Sequence, residues 1–388
     1  MPEPRAAQID PLEVQRLFIL RPDNLGDVVL FTGALRHLRE YFRNARITLC
    51  VRRYVGPLVA GCPHVDEVVF WEELHSTWPE WTGRVRGLRR MELAIRRWQI
   101  RRRYACDVAL LPLRAPSAPM HAAMRVIPAS AKYGIAGCYS NQTAEADSAA
   151  ESIYTRRLQI VPALERAHEM EVTREFLRML GLEINVDEMQ PEFWTTAEER
   201  IFAESALPGL PDRRILAIAP GVTAPADKAY PTERYGAVVA TSAAPALSVV
   251  LLGGPADTAV CDEVERSLEG VRNVTRVTNL AGRTTIGQMI ECLRRADVVL
   301  GPDAAPIHVA IALGRPTVTI LGGGQPGRFQ PWGDPDRNRV VSKVMGCFGC
   351  NWVCRYPTML CVRDIRAEEV GAVLSAAFQR APGTNATR

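Results

Sequence analysis

Leu17–Arg52 reads LFILRPDNLGDVVLFTGALRHLREYFRNARITLCVR, and the switch of pattern within it decides the fold class. Leu17–Leu20 is a short continuous apolar run, as in a strand buried on both faces. Beyond the polar turn Arg21–Asp27, Val28, Phe31, Thr32, Leu35 and Leu38 recur at helical spacing and predict one buried stripe. Ile47–Val51 is a second strand, and Glu67–Phe70 and Asp107–Leu111 read as two more. Strands joined through helices point to a parallel, doubly wound α/β sheet.

Around Leu207–Arg214 the text changes to LPGLPDRR, a loop-forming stretch near a domain boundary. The strand–helix rhythm then resumes, with strands expected at Ile215–Ala219, Leu247–Leu252, Asp297–Leu300 and Thr317–Leu321. Glu368–Arg380 closes the chain as an amphipathic helix with Val370, Val373, Leu374, Ala377 and Phe378 on one face. A chain of 388 residues suits two domains of about 150–200 residues, here set at 1–205 and 206–388. The halves share an architecture and no sequence repeat.

The composition is that of a soluble protein: 47% apolar, 23% charged, with a net charge of +4. That charge is too small to indicate nucleic acid. The opening MPEPRAAQIDPLEVQR lacks the apolar core of a signal peptide, and no apolar run reaches the roughly 18–20 residues of a membrane helix. The expectation is a cytoplasmic protein whose ten cysteines are mostly reduced. Between Trp78 and Tyr104 lies RVRGLRRMELAIRRWQIRRRY. This is either a solvated arginine-rich helix face or, over residues 84–103, a basic surface for anionic lipid headgroups or a phosphorylated acceptor.

Ligands of doubly wound sheets bind beyond the carboxyl ends of the strands, and three junctions there carry suggestive residues. In Asn24-Leu25-Gly26-Asp27, Gly26 suits a sharp turn and Asp27 opens a helix, as a helix cap or as a carboxylate facing the crevice. In Gly301-Pro302-Asp303-Ala304-Ala305-Pro306-Ile307-His308, a strand gives way to a helix starting near Pro306, and Gly314 suits its end. Small residues at Ala304 and Ala305 let a ligand approach the backbone, and the helix N-terminus favours a diphosphate. Asp303 could cap the helix or hold sugar hydroxyls, and His308 could be a core residue or a ligand contact. Pro220-Gly221-Val222-Thr223 follows another strand, with Lys228 just beyond, placed to neutralise a leaving diphosphate.

GCFGCNWVCRYPTMLC gathers Cys347, Cys350, Cys354 and Cys361. Four thiolates this close can wrap one tetrahedral structural ion, zinc by default and iron as the alternative. Free thiols and disulfides are the competing readings.

Taken together, Leu17–Arg52 and Asn279–Gly323 (NLAGRTTIGQMIECLRRADVVLGPDAAPIHVAIALGRPTVTILGG) resemble the heptosyltransferases of glycosyltransferase family 9. The resemblance spans most of the chain. It implies the GT-B fold, two Rossmann-like domains facing a cleft, the first on the acceptor side and the second binding the nucleotide sugar. It implies inverting transfer of heptose from ADP-heptose to a hydroxyl acceptor, by default lipopolysaccharide core, with no catalytic metal. By the same resemblance Asp27 is the general base, Thr223 and Lys228 contact phosphate, and Thr284 lies beside the adenine. The family's D-T-G-x-x-H donor motif falls on Asp303, Ala304, Ala305 and His308, with both its Thr and its Gly replaced by alanine. The family's G-P-T-D-P reads Gly322-Gly323-Gly324-Gln325-Pro326.

The chemistry is consistent with that expectation. A carboxylate must take the proton of an acceptor hydroxyl as the bond forms, and a lysine and a helix N-terminus can stabilise departing ADP. Three rivals stay open: a GT-B transferase using another nucleotide sugar, one using a protein or natural-product acceptor, and a non-catalytic nucleotide-sugar-binding subunit that scaffolds an assembly through the cysteine-rich tail. A dehydrogenase is disfavoured, since no G-x-G-x-x-G follows either first strand. Expected partners are the nucleotide sugar and a glycan, lipid-linked or protein acceptor, with peripheral membrane contact through residues 84–103 and no nucleic acid; an oligomer is allowed.

Overall fold

The computed structural model describes residues 9–75, 95, 98–136, 150–208, 214–223, 228–242 and 246–381. The chain divides into two compact units, Met1–Pro191 and Glu192–Arg388.

In the first unit six strands pair in the order β3-β2-β1-β4-β5-β6. They are β1 (Arg16–Leu20), β2 (Arg46–Val51), β3 (Glu67–Phe70), β4 (Cys106–Leu111), β5 (Ala129–Ala136) and β6 (Arg156–Gln159). Every pairing is parallel. Helix α1 (Leu25–Tyr41) runs between β1 and β2 and buries Val28, Phe31, Leu35 and Leu38, as its spacing predicts. A Cβ at Gly33 would clash with the Met189 and Gln190 carbonyls, so a side chain there would prise the end of this unit off α1. Its further helices include α2 (Ala118–Val126) and α3 (Glu169–Leu180). Phe18, Leu20, Cys50, Val69, Ala109 and Leu111 build the core together with Met124 and Ile127.

The second unit repeats the plan, ordered β12-β11-β10-β7-β8-β9. Its strands are β7 (Arg214–Ile218), β8 (Leu247–Leu251), β9 (Val274–Asn279), β10 (Val298–Pro302), β11 (Thr317–Ile320) and β12 (Asn338–Val341). Its helices of eight residues or more are α4 (Ala197–Ala206), α5 (Arg234–Thr241), α6 (Thr258–Ser267), α7 (Ile286–Arg295), α8 (Ala305–Ala312) and α9 (Ala367–Arg380). The terminal helix α9 buries Val370, Leu374, Ala377 and Phe378 beside Tyr235, Val238 and Leu247. Val370, Leu374 and Phe378, each removed from water, contribute about 1.5–3 kcal/mol apiece.

The units part at Pro191, ahead of the expected boundary at 205/206. The reason is α4, which lies against α7 of the second unit. A Cβ on Gly287 would clash with the Glu199 carboxylate, Thr285 Oγ1 donates to Glu199 at 3.1 Å, and Thr195 Oγ1 donates to Glu291 at 2.6 Å. The joint between the units thus precedes α4, and most of LPGLPDRR, residues 209–213, lies outside the described residues.

Candidate functional site

In both sheets the first and fourth strands are neighbours, β1 beside β4 and β7 beside β10. There the winding reverses, and the connections leave in opposite directions to open a crevice at the carboxyl ends. Asp27 lies at the first switch point, and Thr223, Lys228, Asp303, Ala304, Ala305 and His308 follow the strands of the second; Thr284 follows the edge strand β9, and the four cysteines follow the opposite edge strand β12.

At the first, β1 delivers Arg21, whose guanidinium is buried at 1% exposure. It lies 2.9 Å from the Asp23 carboxylate and 4.9 Å from the Phe31 ring centroid, and donates to the Pro112 carbonyl beyond β4. Arg52 donates to the Pro22 carbonyl at 2.8 Å, and Tyr54 donates to Asn24 Oδ1 at 3.3 Å. This bracing fixes the turn from which α1 starts. Asp27 is half-buried in the first helical turn. Asn24, not Asp27, occupies the N-cap position, and Gly26 is the second residue of the helix, outside the set of left-handed glycines. The sharp turn expected of Gly26 is therefore made by the residues before it.

At the second, Ala219 N–H donates to the Leu300 carbonyl at 3.0 Å, and a Cβ at Gly301 would come within 2.5 Å of the Ala219 carbonyl. Beyond Pro302, Asp303 leads to the extended Ala304, which caps α8 without a side-chain hydrogen bond; Pro306 stands in the first turn, and no acidic residue does. The partial positive charge of this helix start is thus not neutralised by its own side chains, the condition for binding a phosphate oxygen. Gly314 at φ +68° ends the helix as expected, with Arg315 N–H donating to the Ala310 carbonyl at 2.9 Å.

His308 is 3% exposed and is thereby a core residue. Trp332 donates its indole N–H to His308 Nδ1 at 2.9 Å, and Nε2 faces Asp303 Oδ1 at 3.3 Å. An indole can only donate, so Nδ1 is the accepting nitrogen and the proton of the neutral ring sits on Nε2, toward Asp303. Of the pair it is Asp303, the more exposed, that can reach a ligand.

Lys228 is half-buried beyond β7, its Nζ 3.9 Å from the ring centroid of Trp352. Thr223 is exposed on the same loop. Thr284 is half-buried just ahead of Thr285, the residue that caps α7. Trp332 carries no periodicity or motif that would have singled it out, whereas Trp352 sits inside the conspicuous four-cysteine segment.

Cys347, Cys350, Cys354 and Cys361 line one small recess with Met345, Phe348, Trp352 and Met359. Burial pushes the Cys361 thiol upward against the opposing hydrogen bond from Gly323 N–H, and the three neighbouring cysteines push it further. Their thiols are not drawn into a ligand set: among the described residues no group of three or more His, Cys, Asp and Glu is arranged to hold a metal ion. Most of the basic stretch 84–103 lies outside the described residues; within it Ile95 and Trp98 are exposed. No helix among the described residues is long and apolar enough to cross a membrane.

The sequence profile of glycosyltransferase family 9 (heptosyltransferase) matches residues 126–350. The chain belongs to glycosyltransferase family 9. It is a glycosyltransferase, and its two doubly wound units are those of the GT-B fold. The family match includes Thr223, Lys228, Thr284, Asp303, Ala304, Ala305 and His308, and it ends inside the cysteine segment. The family 9 chain is 24% identical to the lipopolysaccharide core heptosyltransferase OpsX of Haemophilus influenzae over 340 residues, 84% of each. Among solved structures it is similar to the ADP-heptose lps heptosyltransferase II of E. coli, with a TM-score of 0.68 and 17% identity, covering 94% of this chain and 99% of that one. It is also similar to the iron-containing dodecameric glycosyltransferase TibC of enterotoxigenic E. coli, with a TM-score of 0.52 and 13% identity, over 94% and 76% of the two chains.

Proposed function

We propose that this enzyme transfers a heptose, with inversion, from ADP-heptose to a hydroxyl of the lipopolysaccharide core. The observation that carries this reading is the β10–α8 junction, where a helix start without a side-chain cap stands beside Asp303, its carboxylate 3.3 Å from Nε2 of the buried His308. In this reading the second unit holds the donor. The α8 start and Lys228 take the diphosphate, with Thr223 beside them, Asp303 takes sugar hydroxyls, and Thr284 lies by the adenine. Ala304 and Ala305 contribute backbone donors without a hydroxyl. The first unit receives the acceptor, and Asp27 removes the proton of the attacking hydroxyl as the glycosidic bond forms. ADP leaves with its charge stabilised by Lys228 and the helix dipole, which serve where a catalytic metal otherwise would.

The work would be done in the cytoplasm, with residues 84–103 offering a basic face to anionic headgroups, and in an oligomer if the likeness to TibC extends to assembly. The four cysteines supply a suitable soft donor set for one structural zinc or iron ion, which would draw the thiols together and fix the segment that carries Trp352. Elemental analysis of reduced protein should give about one metal per chain, lost in Cys350→Ser; a metal-free, fully active protein rules the ion out.

Mass spectrometry of products formed from ADP-heptose with a panel of core, lipid-linked and protein acceptors tests the main reading. A heptosylated core acceptor supports it. Transfer only from a UDP- or GDP-sugar, or only to protein, overturns the donor or the acceptor assignment. Nucleotide-sugar binding with neither transfer nor hydrolysis makes the chain a binding subunit.

A further inference from the structure

The cysteine segment reaches back to the donor side of its own unit through one ring. Trp352 lies over the glycine run that follows β11: a Cβ at Gly322 would come within 3.1 Å of the ring, and one at Gly324 would clash with it. Phe348 covers Gly323 in the same way. Gly349 N–H donates to the Gly323 carbonyl at 2.7 Å and Asn351 N–H to the Gly324 carbonyl at 2.8 Å. Three successive glycines are thus what admits two aromatic rings to the end of β11. β11 adjoins β10, and β10 adjoins β7, so this aromatic floor sits beside the strand ends that carry Asp303 and Lys228.

The backbone is strained to put the ring there. Asn351 and Trp352 stand at φ +52° and +65°; asparagine tolerates this left-handed region, whereas a bulky tryptophan adopts it only when the surroundings impose it. Asn351 is held by a hydrogen bond from Gln325. The strain places the Trp352 face 3.9 Å from Lys228 Nζ. A lysine side chain has four rotatable bonds, and ordering it costs conformational entropy. An indole face attracts the ammonium through its quadrupole and leaves its N–H donors available to a phosphate oxygen.

We propose that Trp352 is a positioning residue for Lys228, holding its ammonium where it meets the donor diphosphate, so that the cysteine segment sets donor affinity. This rests on the reading of Lys228 as a diphosphate ligand.

Calorimetry with ADP tests it on the full-length protein, its Trp352→Phe, Trp352→Leu and Lys228→Ala variants, and the doubles that combine each Trp352 change with Lys228→Ala. ADP affinity is expected to fall in the order Trp, Phe, Leu, with Trp352→Leu about 3- to 30-fold weaker, the range of a cation–π contact. In the Lys228→Ala background neither change at Trp352 should weaken ADP further. Equal losses in both backgrounds would make Trp352 a structural residue and overturn the inference, as would unchanged affinity in Trp352→Leu. If Trp352→Leu does not fold, the Trp352→Phe step in the two backgrounds decides in the same way. Lys228→Ala binding ADP like the parent would instead refute the underlying diphosphate assignment, and the inference with it.

Discussion

Trp332 donates its indole N–H to Nδ1 of His308 at 2.9 Å, which turns Nε2 of the buried imidazole toward Asp303 at 3.3 Å. The bond to Nδ1 leaves the ring proton of the neutral imidazole on Nε2, and in the proposed site that N–H aims the Asp303 carboxylate. Trp332→Phe removes the donor and leaves a buried acceptor unpaired, which costs about 1–3 kcal/mol. Thermal unfolding should show that loss, and the donor KM should rise more than the acceptor KM because Asp303 is no longer held. A variant as stable as the parent, with an unchanged donor KM, would sever the link from Trp332 to Asp303.

Lys228 is expected to bond a diphosphate oxygen. Lys228→Ala should weaken ADP binding by about 1.5–3 kcal/mol, the range for a charge-assisted hydrogen bond. A calorimetric titration in which ADP binds as before removes Lys228 from the donor site.

Gly324 faces the Trp352 ring with no room for a Cβ. Gly324→Ala must displace a rigid ring, at about 1–3 kcal/mol. The unfolding midpoint should fall, and Cys347 and Cys350 should become faster to alkylate as the segment lifts. Unaltered stability and unaltered thiol reactivity would mean that the segment does not depend on this contact.

Arg21 is buried against Asp23 and Phe31 at the start of the α1 turn. Arg21→Met leaves the half-buried Asp23 without its cation, and breaking such a pair costs about 3–5 kcal/mol when both members are fully buried. Because Asp23 keeps some exposure, the loss measured by denaturant titration should fall at or below the bottom of that range. A variant as stable as the parent would show that Arg21 is dispensable for the turn.

The parts of the fold legible in the sequence were those whose burial is written in a local pattern. β1, β2 and β7 are apolar runs, and α1 shows its stripe at Val28, Phe31, Leu35 and Leu38. No expectation covered β5, β6, β9 or β12. β6, with the text RRLQ, and β12, with NRVV, are edge strands whose side chains are only partly covered, so neither shows a continuous run. The boundary was misplaced because LPGLPDRR looks like a linker, while what binds α4 to the second unit is contact with α7, far along the chain. At the site, Asp303 and His308 stand five residues apart in one strand-to-helix junction and could be read together. Trp332 and Trp352 arrive from long loops, and the reason for Gly322–Gly324 is visible only once two aromatic rings are seen lying on them.

The central claim is that Asp27, in the first turn of α1, is the base of a heptosyl transfer. The measurement that tests it most directly is the turnover of Asp27→Asn with ADP-heptose and a core acceptor, alongside its ADP affinity. ADP affinity and the unfolding midpoint should be unchanged, and kcat should be lower by about 10²–10⁴-fold, the usual worth of general-base catalysis. Near-normal turnover in that variant would contradict it.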